Sequence, residues 1–281
     1  MGSRRHLRNQ VHTWGLPAAW VPIVLACLLA TTCPDLDGVE VFAGAKELTF
    51  GCRHYGLAFE TIEKEDGDDQ DLLKDAGLKK AILFICRTKE KGLLWLGVPC
   101  SSWVFIGRSN SGRSLWRPQG NESLPYTQLH NSLASVALSL ARLAFCLGIY
   151  YVTEQPSTSV FWSWLPTMEL ICETAAQRCS FNLSAFGADT QKRLVLHGTA
   201  PWLRQLQDFA AARRSRPAQA ESLVTTRVGP SGETKVTGKR KRLKESQAYT
   251  AQFGRKVGAL QSRLDVKRRP VARPLFSLMD G

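Results

Sequence analysis

The amino-acid sequence predicts an α/β domain: a mostly parallel sheet flanked by helices, with a disordered basic tail behind it. Three observations carry that expectation. Between residues 35 and 209, short apolar runs alternate with stretches of helical spacing. Two of those runs, 92–96 and 149–153, lead into a chemically reactive side chain: Cys100 after Gly97-Val98-Pro99, and Glu154 before Gln155-Pro156. The third is segregation of charge. Residues 1–209 carry 20 Lys and Arg against 19 Asp and Glu, whereas residues 210–281 carry 17 against 5. The tail therefore holds +12 of the net charge of +13.

The elements follow in order. Residues 1–34 are a basic segment and then an apolar stretch, 14–30. Basic-then-apolar is the pattern of a signal or anchor. Pro17 and Pro22 interrupt this one, and it is short of the about 20 apolar residues of a membrane span. A helix packed on the sheet is the preferred reading. Asp37-Gly38-Val39-Glu40-Val41-Phe42-Ala43-Gly44 reads as a turn, a strand and a glycine, followed by a helix over 45–55. Residues 57–63 form a second strand ending in acid, and 71–87 have helical spacing. After Cys100 comes a loop rich in Gly, Ser and Arg, then a long helix over 127–147, broken by Gly148. The strand at 149–153 ends in Glu154.

A strand, a glycine turn and a helix make the first half of a nucleotide-type site, because backbone can approach a ligand where no side chain intervenes. An acid at the end of the second strand, Glu63, can accept the hydroxyls of a ribose. A thiol at a strand's carboxyl end lies on the rim where such folds bind ligands. Nearby cations and N–H groups can make it a nucleophile there. The plainer reading of a lone cysteine is a buried structural residue. The eight cysteines include no Cys-x-x-Cys pair, which argues against a metal site or a disulfide scaffold and for a reducing compartment.

Taken together, these segments resemble the cytosine-C5 DNA methyltransferase family. Val41-Phe42-Ala43-Gly44 resembles its first cofactor motif, and Gly97-Val98-Pro99-Cys100 its Pro-Cys nucleophile motif. Gly107-Arg108, Gly112-Arg113 and Arg117 resemble the mobile loop that closes over the base. Glu154-Gln155-Pro156 stands where the family has Glu-Asn-Val. Phe186-Gly187-Ala188 and Gln191-Lys192-Arg193 resemble the later Tyr-Gly-x-Pro-Gln-x-Arg segment. The likeness covers about residues 37–207. It departs from the family at Ala45-Lys46, where a second glycine is usual, at Ser101 in place of glutamine, and at Gln155 in place of asparagine. Neither a target-recognition domain nor the family's final cofactor motif is evident, and after Leu206 the chain turns polar and basic.

The resemblance implies a Rossmann-like methyltransferase fold using S-adenosylmethionine, with cytosine in nucleic acid as acceptor, DNA ahead of RNA. Cys100 would add to C6 of the base, Glu154 would serve N3, and Arg193 would hold Glu154 or the base. Phe42, Ala43, Gly44 and Pro99 would line the cofactor, Glu63 would hold its ribose, and Asp71 its adenine amino group. No metal is implied. The tail, with Lys239-Arg240-Lys241-Arg242 and Lys267-Arg268-Arg269, suits a polyanion and nuclear import. Two other readings stand beside this one. One is a catalytically inactive relative that binds nucleic acid through its tail. The other is a membrane-anchored protein using residues 14–30.

Overall fold

The structure is a computed structural model that describes residues 13–213, 224–228, 230, 234–238 and 248–264. A short turn at Ala18–Trp20 leads into helix α1 (Val21–Ala30), with Pro22 in its first turn, where a missing N–H costs nothing. Then come β1 (Leu36–Val41), α2 (Glu47–His54), β2 (Phe59–Ile62), α3 (Asp75–Arg87), β3 (Thr88–Leu96) and α4 (Pro125–Cys146). The chain continues through β4 (Tyr150–Pro156), α5 (Leu165–Glu173), β5 (Gln177–Asn182), β6 (Arg193–Gly198) and α6 (Leu203–Ala212). A hairpin of β7 (Val224–Val228) and β8 (Thr234–Gly238) precedes the last helix, α7 (Ala251–Gln261).

One six-stranded sheet runs in the order β2-β1-β3-β4-β6-β5. The pairs β1–β2, β1–β3 and β3–β4 are parallel, and β6 runs antiparallel between β4 and β5. This is the mostly parallel, helix-flanked α/β sheet that the sequence predicts, compatible with a Rossmann-like fold.

Successive strand residues point to opposite faces, and β3 shows how both faces are filled. Leu94 and Leu96 join α1, α3, α4 and α5 in one core. Leu93 and Trp95 join α2, α6 and α7 in the other. Burying strands on both sides explains why the end of β3, Leu93–Leu96, reads as an unbroken apolar run, and it leaves all six positions of β1 buried, Asp37 and Glu40 included. Val21 and Val24 of α1 are buried, as is Trp20 just before it, and the helix packs against α3. Helix α4 is long and apolar enough to cross a membrane by length and composition, but its apolar side forms part of the first core.

The expectation of a disordered tail from residue 210 does not hold for residues 248–264. Helix α6 runs on to Ala212, and α7 completes the second core. The physical reason is a local pattern: Tyr249, Phe253, Val257 and Leu260 recur at helical spacing, and Phe253, Val257 and Leu260 are buried. Gly51 on α2 and Gly254 on α7 let the two backbones touch. A Cβ on Gly254 would overlap the Glu47 carbonyl, and one on Gly51 would overlap the Gly254 backbone. The basic runs at 239–244 and 267–270, and the basic N-terminal residues 1–12, lie outside the described residues.

Candidate functional site

The site begins where β3 leaves the sheet. The Gly97 N–H donates to the Val41 carbonyl (3.1 Å), which holds the departing loop against β1. Gln155, buried on β4, donates through Nε2 to the Val98 carbonyl and accepts from Ser159 Oγ (2.8 Å). The residue that replaces the family's asparagine thus braces the Pro99–Cys100 loop. Cys100 follows, half-buried, and its carbonyl accepts from the N–H groups of Trp103 (2.9 Å) and Val104 (3.1 Å). Ser101 turns the other way, toward α4, where its Oγ meets His130 Nε2 (3.2 Å) and accepts from the Tyr126 hydroxyl (3.1 Å). The Pro99 backbone faces the same His130 ring.

Glu154 reaches this edge from the neighbouring strand. The register of β3 with β4 sets Leu96 against Thr153, so Glu154 is the first β4 residue past the end of β3, where the Cys100 loop departs, while β4 itself continues against β6 to Pro156. Glu154 is buried. Its Oε2 accepts from the Tyr249 hydroxyl (3.1 Å), and its Oε1 lies 3.9 Å from Lys192 Nζ. Burial pushes the Cys100 thiol up. The Lys192 charge pulls it back down, and the Glu154 charge adds to the rise. All three groups therefore share one electrostatic environment.

Arg193 is not part of it. It lies exposed at the start of β6, and its Nε donates to Ser180 Oγ on β5 (3.1 Å). Adjacent residues diverge at a strand's start, so Lys192, one position earlier, supplies the cation instead. Lys192 and Tyr249 are the residues that sequence reasoning missed. Lys192 sits inside the segment that carries the resemblance. Tyr249 opens the apolar pattern of α7.

On the cofactor side, Phe42 and Gly44 both adopt positive φ (59° and 50°), which folds the chain sharply off β1. The N–H groups of Phe42 (2.9 Å) and buried Ala43 (3.4 Å) donate to the Ile62 carbonyl, joining this turn to the end of β2. A side chain on Gly44 would meet nothing within 4 Å, so open space lies beside its backbone. Its N–H donates to Glu63 Oε2 (2.6 Å). Burial and the adjoining Glu65 carboxyl push Glu63 up to about 7, against the pull of that N–H. Asp71 stands apart: it pairs with Lys64 (3.1 Å) and accepts from the Leu73 N–H (3.1 Å). Burial opposes its ionisation, but those partners hold it below the usual carboxylate range.

The loop after Cys100 is pinned at its root. Arg113 is buried with its guanidinium 3.4 Å from the Trp103 ring centroid. It donates to the Pro118 carbonyl (2.6 Å) and to Asn131 Oδ1 (2.8 Å). Arg113 is thus the loop's internal strut, and it cannot reach a base. At the tip, Trp116 is 97% exposed, between exposed Leu115 and Arg117. Between Glu90 and Glu122 the chain carries no carboxylate side chain.

Chemically, the edge offers a carboxyl group paired with an ammonium group and a thiol that feels the charge of both, next to a glycine turn with an acid beside it. No family model matches the chain, and no curated protein matches it.

Proposed function

We propose that the chain transfers a methyl group from S-adenosylmethionine to C5 of cytosine in nucleic acid, DNA ahead of RNA. The observation that carries this reading is the meeting of Cys100, Glu154 and Lys192 at the carboxyl ends of two adjacent parallel strands. The residues around Gly44 fit the cofactor. The turn leaves open space at the backbone, and Glu63 is a half-buried acceptor for a ribose. Phe42, Ala43, Gly44, Glu63 and Pro99 are the residues that would hold it. The return of α7 to α2 also closes the domain next to that turn, where sequence alone offered no such segment.

The chemistry follows from the three groups. C5 of cytosine is a weak nucleophile until a thiolate adds to C6. A single proton passes from the Cys100 thiol to Glu154, giving a thiolate and a neutral acid. That transfer removes the adverse charge beside the sulfur and leaves the Lys192 cation next to the thiolate. As the Sγ–C6 bond forms, the C5=C6 π pair moves to C4–C5. The C4=N3 pair moves to N3, which takes the proton from Glu154. S-adenosylmethionine supplies the methyl group on a sulfonium leaving group. C5 then forms its bond to methyl, loses its proton to solvent, and the thiolate leaves as N3 returns its proton to Glu154. The base must leave the stack to reach this edge.

Incubating the full chain with cytosine-containing DNA and methyl-labelled cofactor should label the DNA, and Cys100→Ala should abolish labelling. Unlabelled DNA with the wild-type protein would contradict the reading. The raised Cys100 thiol and the engaged Glu63 favour a second reading, an inactive module that binds nucleic acid. Binding without labelling would identify it. In either reading, nuclear residence and polyanion binding through the basic runs remain part of the proposal.

A further inference from the structure

Tyr249 belongs to a segment that nothing in the sequence linked to the chemistry, yet its hydroxyl lies within hydrogen-bond distance of Glu154. Its hydroxyl sits between two partners. Trp95 Nε1 is 3.1 Å away, and Glu154 Oε2 is 3.1 Å away. An indole N–H can only donate. The phenol oxygen therefore accepts from Trp95, and its single proton points to Glu154. That direction fixes the roles of the two carboxylate oxygens. Oε2 is committed as an acceptor. Oε1 is buried without a hydrogen-bond partner among the described residues, and Lys192 stays at ion-pair distance from it.

We infer that Tyr249 is a positioning residue for Glu154: it holds Oε2 as an acceptor, so that proton exchange with the substrate base runs through Oε1 alone. The inference rests on the methyl-transfer reading of the same site. Burial, followed by the Glu154 and Glu40 charges, keeps the Tyr249 phenol protonated and therefore a donor. The ring is itself wedged in place, edge-on to Trp95 at 5.9 Å and beside Phe253 at 5.2 Å. A proton on Oε2 would face the Tyr249 proton, so the protonated carboxyl has one accessible arrangement. Without the phenol, both oxygens compete for the proton and the carboxyl group can rotate. The chain thus completes its catalytic edge with a side chain that lies 95 residues after Glu154.

The test is single-turnover trapping of DNA carrying 5-fluorocytosine, in the presence of S-adenosylmethionine. Tyr249→Phe keeps the ring and removes the donor. The adduct should form about tenfold to a hundredfold more slowly, the loss expected for a hydrogen bond to a charged group. Affinities for DNA and cofactor should stay within about twofold, and thermal unfolding should be close to wild type. Glu154→Gln should also be slow, and adding Tyr249→Phe to it should cost less than about twofold more, because the phenol acts only through Glu154. An unchanged Tyr249→Phe rate, or additive losses in the double variant, would overturn the inference while leaving the enzyme reading intact. Failure of the wild-type protein to form any adduct would overturn both.

Discussion

Among the described residues, Glu40 and Glu63 are carboxyl groups that burial pushes up to about 7, and they predict opposite things. Glu40 is fully buried on β1. Its Oε2 accepts from the N–H (2.9 Å) and hydroxyl (2.6 Å) of Thr49, and its Oε1 has no hydrogen-bond partner among the described residues. Burial favours the protonated form over the two Thr49 hydrogen bonds. Between its ordinary value near 4.5 and about 7, the folded state binds more protons than the unfolded state. Stability should therefore fall as pH rises through that window and level off above it, by up to about 3 kcal/mol. Glu40→Gln should remove the slope and raise the urea midpoint at pH 8. A variant with the wild-type slope would contradict the assignment. Glu63 is different because its ionised form is the one that accepts from a ribose. Cofactor affinity should strengthen as pH rises through about 7 and become pH-independent in Glu63→Gln, as calorimetric titration at several pH values would show.

At the same scale, Cys100 and Glu154 were legible because a reactive side chain after a short apolar run is a local signal. Lys192 was not. Whether 192 or 193 faces the site depends on how the chain enters β6, and sequence does not state that phase. The partner of Asp71 was hidden for a related reason. An acid near a strand end looks available until its own lysine, Lys64, is seen to occupy it.

At the scale of elements, the parallel strands β1 to β4 were readable and the antiparallel pair β5 and β6 was not. In β5, Gln177 and Arg178 are exposed while Cys179 and Phe181 are buried, so the strand lacks an apolar run. Helix α7 was hidden by dilution, since eleven patterned residues sit within a polar, basic stretch. Its contact with α2 makes a sharp prediction. Gly254→Val should force the helices apart and cost about 3 kcal/mol, read as a lower urea midpoint. An unchanged midpoint would show that the Gly51–Gly254 crossing is not tightly packed. The loop after Cys100 makes another. Trp116 is almost fully exposed on a turn closed by the Ser114 N–H to the Arg117 carbonyl (3.1 Å) and anchored by Arg113. An aromatic ring presented in this way among arginines suits stacking on a nucleobase. Trp116→Ala should weaken binding of a single-stranded oligonucleotide about tenfold and leave unfolding unchanged. Equal affinity by fluorescence anisotropy would remove the loop from the binding surface.

For the whole molecule, the charge balance and the fold assign different work to different parts. The sheet and its helices are nearly neutral, and the excess cations follow α6. Because α7 re-enters the core, the run Lys239-Arg240-Lys241-Arg242-Leu243-Lys244 lies between two ordered anchors, α6 before it and Tyr249 after it. Replacing its five cations with Gln should lower the slope of log affinity against log salt by about 2 to 4, without changing the unfolding midpoint. An unchanged slope would mean that this run makes no phosphate contacts. Truncation at residue 210 would be a poorer test, since it also removes Phe253, Val257 and Leu260 from the core.

If Cys100 attacks a cytosine ring, DNA carrying 5-fluorocytosine should trap the protein covalently. Fluorine at C5 leaves no proton to remove after methyl transfer, so the enzyme should remain joined to its DNA. A denaturation-resistant adduct should form that requires S-adenosylmethionine and disappears in Cys100→Ser, whose hydroxyl is far less ionised than a thiol. A wild-type protein that binds both cofactor and DNA yet forms no such adduct would contradict it.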